Sequence, residues 1–185
     1  MSNYKPLIKP INNFIKTKCW DYLKTHNLGN RGVYDGNKEK QFVGLLAEME
    51  TYNLLKGYYP NLDEKEDGFD GGIDIVLYDR TIDVKAMGRK YATRANYVNN
   101  FTKLQIHYNC DILLFTSVNK VKNLIEFCGY IWKSEIDTLG TLHKKGSIRK
   151  RGRNDNFKLD VDNYEVKNSD LRNIRDIIDW SYFGF

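Results

Sequence analysis

The sequence predicts a mixed α/β domain, and three observations predict it. A long helix-type pattern over residues 38–56 runs into two short strands in hairpin spacing, 73–78 and 81–86. Two apolar runs of strand length follow, 111–118 and 124–132. Helical spacing then returns near the C-terminus in Leu171, Ile174, Ile177 and Ile178.

Taken in order, residues 1–37 read as an N-terminal helical element, because Ile11, Phe14, Ile15, Trp20 and Leu23 recur at loosely helical spacing. Gly29, Gly32 and Gly36 punctuate the loop after it. Lys38–Lys56 is the clearest helix, stopped by Gly57 and Pro60. Residues 58–72 form a turn-rich acidic loop, and the two short strands come next. A basic connection over 87–98 leads to a second helix over 99–108, then to the strands 111–118 and 124–132. Ser134 caps a short helix through Leu139, and residues 143–153 read as an exposed basic loop. A last strand spans 164–167, and Ser169 looks like the N-cap of the final helix. Residues 38–140 form the core, and 141–185 add the basic loop, a strand and a helix to the same domain.

Bulk numbers narrow the class. The 185 residues are 41% hydrophobic, enough for one core. No apolar run is long enough to span a membrane, and the first ten residues lack the apolar stretch of a secretory signal, so a cytoplasmic protein with no membrane partner is expected. Cys19, Cys110 and Cys128 are odd in number and form no CxxC pair, which argues against a disulfide framework and a zinc cluster. His26, His107 and His143 form no HxxxH pair. The net charge of +5 is modest, but it is segregated. Residues 143–153 hold six Lys or Arg and no acid, whereas 63–70 hold five acids against Lys65. A phosphate-binding surface beside an acidic cation pocket would give this pattern, and so would solvated loops.

The chemistry lies in the hairpin. Along strand 81–86, Ile82, Val84 and Ala86 face one way, and Thr81, Asp83 and Lys85 the other. With Asp79–Arg80 as a two-residue turn, Tyr78 pairs with Thr81, Val76 lies opposite Asp83, and Asp74 lies opposite Lys85. Asp74 then shares a face with Asp83 and Lys85. A three-residue turn would reverse it. On helix 38–56, Phe42, Leu45, Leu46, Met49, Tyr52 and Leu55 define an apolar arc, with Glu48 inside it between Tyr52 and Leu55. A carboxylate there needs compensation, from a cation or from Lys85. Three carboxylates and a lysine suit Mg²⁺, which binds through few carboxylates and keeps several waters. The alternative is a surface ion pair between Asp83 and Lys85, of little energetic consequence.

Three segments carry a resemblance: Gly44 to Glu48 (Gly-Leu-Leu-Ala-Glu), Asp67 to Val76 (Asp-Gly-Phe-Asp-Gly-Gly-Ile-Asp-Ile-Val), and Ile82 to Lys85 (Ile-Asp-Val-Lys). In this order they resemble the PD-(D/E)xK nuclease superfamily, over roughly residues 42–86. That likeness implies a restriction-endonuclease-like αβββαβ core, with a mixed central sheet flanked by helices. It implies Mg²⁺-dependent hydrolysis of phosphodiester bonds in DNA, with Mn²⁺ as a substitute. It makes Asp74 and Asp83 metal carboxylates, the Val84 carbonyl a further ligand, Glu48 the acid of the first core helix, and Lys85 the motif lysine that assists water attack. Two departures stand: Ile73 precedes Asp74 where the motif has proline, and Asp83 replaces the commoner glutamate.

Nucleic-acid contacts are expected from Arg89, Lys90 and Arg94, from Lys103 and Gln105 (with His107 a further candidate) on the second helix, and from Lys144, Lys145, Arg149, Lys150, Arg151 and Arg153. A homodimer would supply two cuts on opposite strands. An inactive DNA-binding module of the same fold, a junction resolvase and an RNA substrate stay open.

Overall fold

The computed structural model describes residues 4–28, 37–63, 72–150 and 156–183. Its main sheet has five strands: β1 (Leu7–Pro10), β2 (Ile75–Leu77), β3 (Arg80–Arg89), β5 (Ile112–Asn119) and β6 (Leu124–Trp132), in the order β1-β6-β5-β3-β2. The β3–β5 pair is parallel and the others antiparallel. A second sheet joins β4 (Val98–Thr102), β10 (Asn163–Lys167) and β7 (Thr141–His143) in the order β4-β10-β7. A two-stranded ribbon pairs β8 (Ile148–Lys150) with β9 (Asn156–Lys158).

The helices α1 (Asn13–Thr25), α2 (Lys38–Lys56) and α4 (Ile174–Phe183) cover one face of the main sheet, and α3 (Ile136–Leu139) is a single short turn. The helix-side core gathers Ile15, Leu46, Leu55, Ile82, Val84 and Ile177 with their neighbours. On the other face, Phe101, Leu113, Phe115, Ile131, Tyr164 and Val166 pack the two sheets together. Strand β5 is buried at all eight positions because both its faces are covered.

The expected mixed α/β architecture is present; the specific αβββαβ order is not established. A parallel pair such as β3–β5 needs a crossover. The second helix expected over 99–108 would have supplied it. Instead the chain forms β4, followed by a 3-10 turn at Lys103–Gln105. This segment belongs to the second sheet, where Asn99 pairs with Val166 and Phe101 with Tyr164.

Other expectations shift as well. The N-terminal element begins with a strand, β1, before its helix. Helix α2 has the expected bounds, with the Asn37 side chain accepting the Lys40 N–H at 3.0 Å at its start. Its buried residues are Phe42, Val43, Leu46, Ala47, Glu50, Thr51, Leu54 and Leu55, an arc rotated from the one read from large apolar residues. Ser134 lies within a 3-10 turn rather than capping it. Ser169 sits in another such turn, and α4 starts later, at Ile174. The basic stretch is no simple loop, since it starts at the last residue of β7 and carries β8. Among the described residues, no helix is long and apolar enough to cross a membrane.

Candidate metal centre

The β2–β3 hairpin turns one residue earlier than expected. Its rungs are Ile75↔Ile82, Val76↔Thr81 and Leu77↔Arg80, so Tyr78 and Asp79 form the turn. Tyr78 takes the left-handed backbone, with φ of 55°. Beyond that last rung the Asp74 backbone bonds at the level of Ile82, and its carboxyl lies close enough to Asp83 to act on it, so Asp74 is not opposite Lys85 as expected. The shift is two residues, so the side-chain period of two preserves the facing. The Asp74 N–H donates to the Ile82 carbonyl at 2.9 Å.

The ladder ends there. Past it, the Val84 N–H donates at 2.7 Å to Asp74 Oδ2, a side chain taking the place of a strand partner. Backbone groups alternate between the two edges of a strand. The Val84 carbonyl therefore points to the same edge as its N–H, beside Asp74.

Asp83 and Lys85 face the second sheet. Asp83 is 2% exposed. Lys85 Nζ lies 2.6 Å from Asp83 Oδ1 and sits 5.8 Å from the centre of the Phe101 ring. Asp83 Oδ2 is buried with no hydrogen-bond partner. Burial pushes the Asp83 carboxyl above the usual carboxylate range, the Lys85 ammonium opposes this, and the Asp74 carboxyl raises it further. A buried oxygen without a donor, beside a second carboxylate and one ammonium, fits a divalent cation. Among the described residues no three His, Cys, Asp or Glu side chains form a metal-binding group. Mg²⁺ does not require one, since two carboxylates, a carbonyl and water suffice.

Glu48 is half-buried on α2, which packs over the Ile82 and Val84 face of the sheet. Its charge acts on the Cys19 thiol of α1, which burial first of all pushes up to about 12. The helix's buried carboxylate is Glu50, 7% exposed. It accepts the Asn12 N–H at 2.7 Å and so ties α2 to the start of α1. Its pKa is raised, chiefly by burial.

The basic candidates divide. Lys90, Arg94, Lys144, Lys145 and Lys150 are exposed, although Lys144 Nζ lies 3.1 Å from Asp162. Arg89 is engaged internally, with Nη2 donating to the Val98 carbonyl at 2.6 Å and the guanidinium over Tyr97. Arg149 makes a two-pronged ion pair with the buried Glu165. Gln105 is buried, not on an exposed helix face, and Lys103 is half-buried in the same 3-10 turn. His107 is exposed just after it. Arg151 and Arg153, and the acids Asp67 and Asp70, lie outside the described residues.

Sequence reasoning missed two neighbours of the centre. Cys110, given no role in the sequence, lies near enough to Asp83 and Lys85 for their charges to act on it; burial is the main cause of its rise to about 12. Tyr108 packs on Gly72, two residues before Asp74. Neither had a local signal beyond its residue type. No protein-family model, curated protein or solved structure matches the chain.

Proposed function

We propose that this chain is a Mg²⁺-dependent endonuclease that hydrolyses phosphodiester bonds in DNA. The observation that carries the reading is the meeting of Asp74 and Asp83 across the end of the β2–β3 ladder, with a buried, unpartnered Asp83 oxygen and Lys85 beside them. In this reading Asp74, Asp83 and the Val84 carbonyl hold the ion; Glu48, expected as a further acid of the site, lies with α2 over the Ile82 and Val84 face and does not join them as a third carboxylate. The bound cation would lower the pKa of an attacking water and offset charge on the scissile phosphate.

The chain's own groups do the rest. Lys85, held by Asp83, presents donors that orient the water and offset charge building on the phosphate oxygens. The water oxygen bonds to phosphorus, the bond to the leaving oxygen breaks, and that oxygen regains a proton while the water loses one. Exposed Lys90, Arg94, Lys145 and Lys150 grip the backbone. A homodimer would place two such centres on opposite strands.

The test is a panel of duplex, single-stranded, flap and four-way-junction DNA, with RNA alongside, incubated with Mg²⁺ or Mn²⁺. Cleavage by the wild type, lost in Asp83→Asn and Lys85→Ala, supports the reading. DNA binding without any metal-dependent product across the panel would leave a binding module instead.

A further inference from the structure

The segment that delivers Asp74 is gripped from two sides. On one side is β3, through the Ile82 carbonyl and the Val84 N–H. On the other is an aromatic ring. A Cβ at Gly72 would fall 2.5 Å from Cδ2 and 2.9 Å from Cβ of Tyr108, so that side chain lies directly on the glycine backbone. Gly72 also has φ of 91°, a conformation that side chains disfavour. Tyr108 is itself fixed in place. Its N–H donates to the Gln105 carbonyl at 3.1 Å, and its carbonyl accepts the Lys133 ammonium.

We infer that Tyr108 is a positioning residue for the proposed cation centre: its ring seats Gly72 so that the Asp74 carboxylate falls beside Asp83. This rests on the reading that Asp74 and Asp83 share a divalent ion. The physical reason is leverage. Asp74 lies beyond the last rung of a three-residue strand, so its ladder constrains it from one side only. Without the ring, Gly72 loses the contact that seats its backbone, and ligand orientation loosens while the sheet itself persists. Groups that orient metal ligands typically change metal affinity by about 10–100-fold when removed.

The experiment titrates the full chain with Mn²⁺, following the free-ion electron paramagnetic resonance signal, and records the thermal midpoint without metal in parallel. The variants are Tyr108→Phe, Tyr108→Leu and Gly72→Ala, with Asn109→Ala as the exposed neighbouring control. Phenylalanine keeps the ring and should bind Mn²⁺ as the wild type does. Tyr108→Leu and Gly72→Ala should each weaken binding about 10-fold or more, with a cooperative transition retained. Combining them should cost less than the sum of the two, since both break one contact. Should Tyr108→Leu fail to fold, Tyr108→Met carries the same comparison. Wild-type affinity in both Tyr108→Leu and Gly72→Ala, or losses that simply add, would overturn the inference while leaving the metal centre standing. Absence of Mn²⁺ binding by the wild type would sink the centre and this inference with it.

Discussion

The Asp74 carboxyl lies close enough to Asp83 to push its pKa up, and it accepts the backbone N–H of Val84 at 2.7 Å. Two acids are thus held together where one of them is almost wholly buried. Such a conflict costs stability unless something resolves it.

Asp83→Asn removes the conflict. In the absence of divalent ions this variant should be more stable than the wild type, by about 1 kcal/mol. In excess Mg²⁺ the order should reverse, because a ligand that binds only the folded state raises its stability and the variant lacks the ligand. Thermal melts with and without Mg²⁺ read both effects. A variant less stable than the wild type in chelator, or stabilised equally by Mg²⁺, speaks against a strained carboxylate pair.

The two glutamates of α2 should differ in their weight on folding. Glu50 holds the Asn12 N–H, and Glu50→Ala should cost about 1–2 kcal/mol. Glu48 makes no part of that anchor, so Glu48→Gln should leave the urea midpoint near wild type. Urea unfolding curves on both variants test the division. An equal or larger loss in Glu48→Gln would reverse the roles.

Arg149 and Lys150 are sequence neighbours with different tasks. Lys150 is exposed, so Lys150→Ala should weaken DNA binding and lower the salt slope by about one unit. Arg149 is committed to Glu165, and Arg149→Ala should instead destabilise the β8–β9 ribbon against β10. Binding isotherms at several salt concentrations, with hydrogen exchange at 148–150 and 156–158, distinguish them. Equal salt slopes for the two variants would contradict the assignment.

Acid should release the turn before α4. Glu135 accepts two bonds from the Arg172 guanidinium and the Trp132 N–H, and the Arg172 bonds hold its pKa below the usual value. A depressed folded pKa contributes stability above the unfolded value, and that contribution is lost as pH falls through the folded value. The wild type should therefore lose stability as pH drops below about 4.5, and Glu135→Gln should lose less over the same range. Urea midpoints at about pH 7 and about pH 3.5 measure the difference. Parallel pH curves for the two proteins would remove Glu135 as the acid-sensitive tie.

Much of the centre was legible in the sequence, for reasons of period. Strand residues alternate, so Asp83 and Lys85 had to share a face opposite Ile82 and Val84. A two-residue error in the hairpin left Asp74 on that face. Long apolar or helical runs such as 38–56 and 124–132 also carried their own boundaries. The arc of α2 was misjudged because α1 as well as the sheet packs on it, burying Ala47, Glu50 and Thr51, which an apolar count passes over. Residues 99–108 read as a helix because their partners in β10 lie more than sixty residues away, and the bond from Asn99 Nδ2 to Asn168 Oδ1 forms only in the folded chain. The pairing of 148–150 with 156–158 was hidden in the same way, since charge composition does not announce strand pairing.

The most direct measurement is anomalous scattering from crystals soaked in Mn²⁺. The account predicts a peak contacting the Asp74 and Asp83 carboxylates and the Val84 carbonyl, absent from Asp83→Asn crystals. A peak elsewhere alone, or none at a Mn²⁺ concentration that supports DNA cleavage, would contradict it.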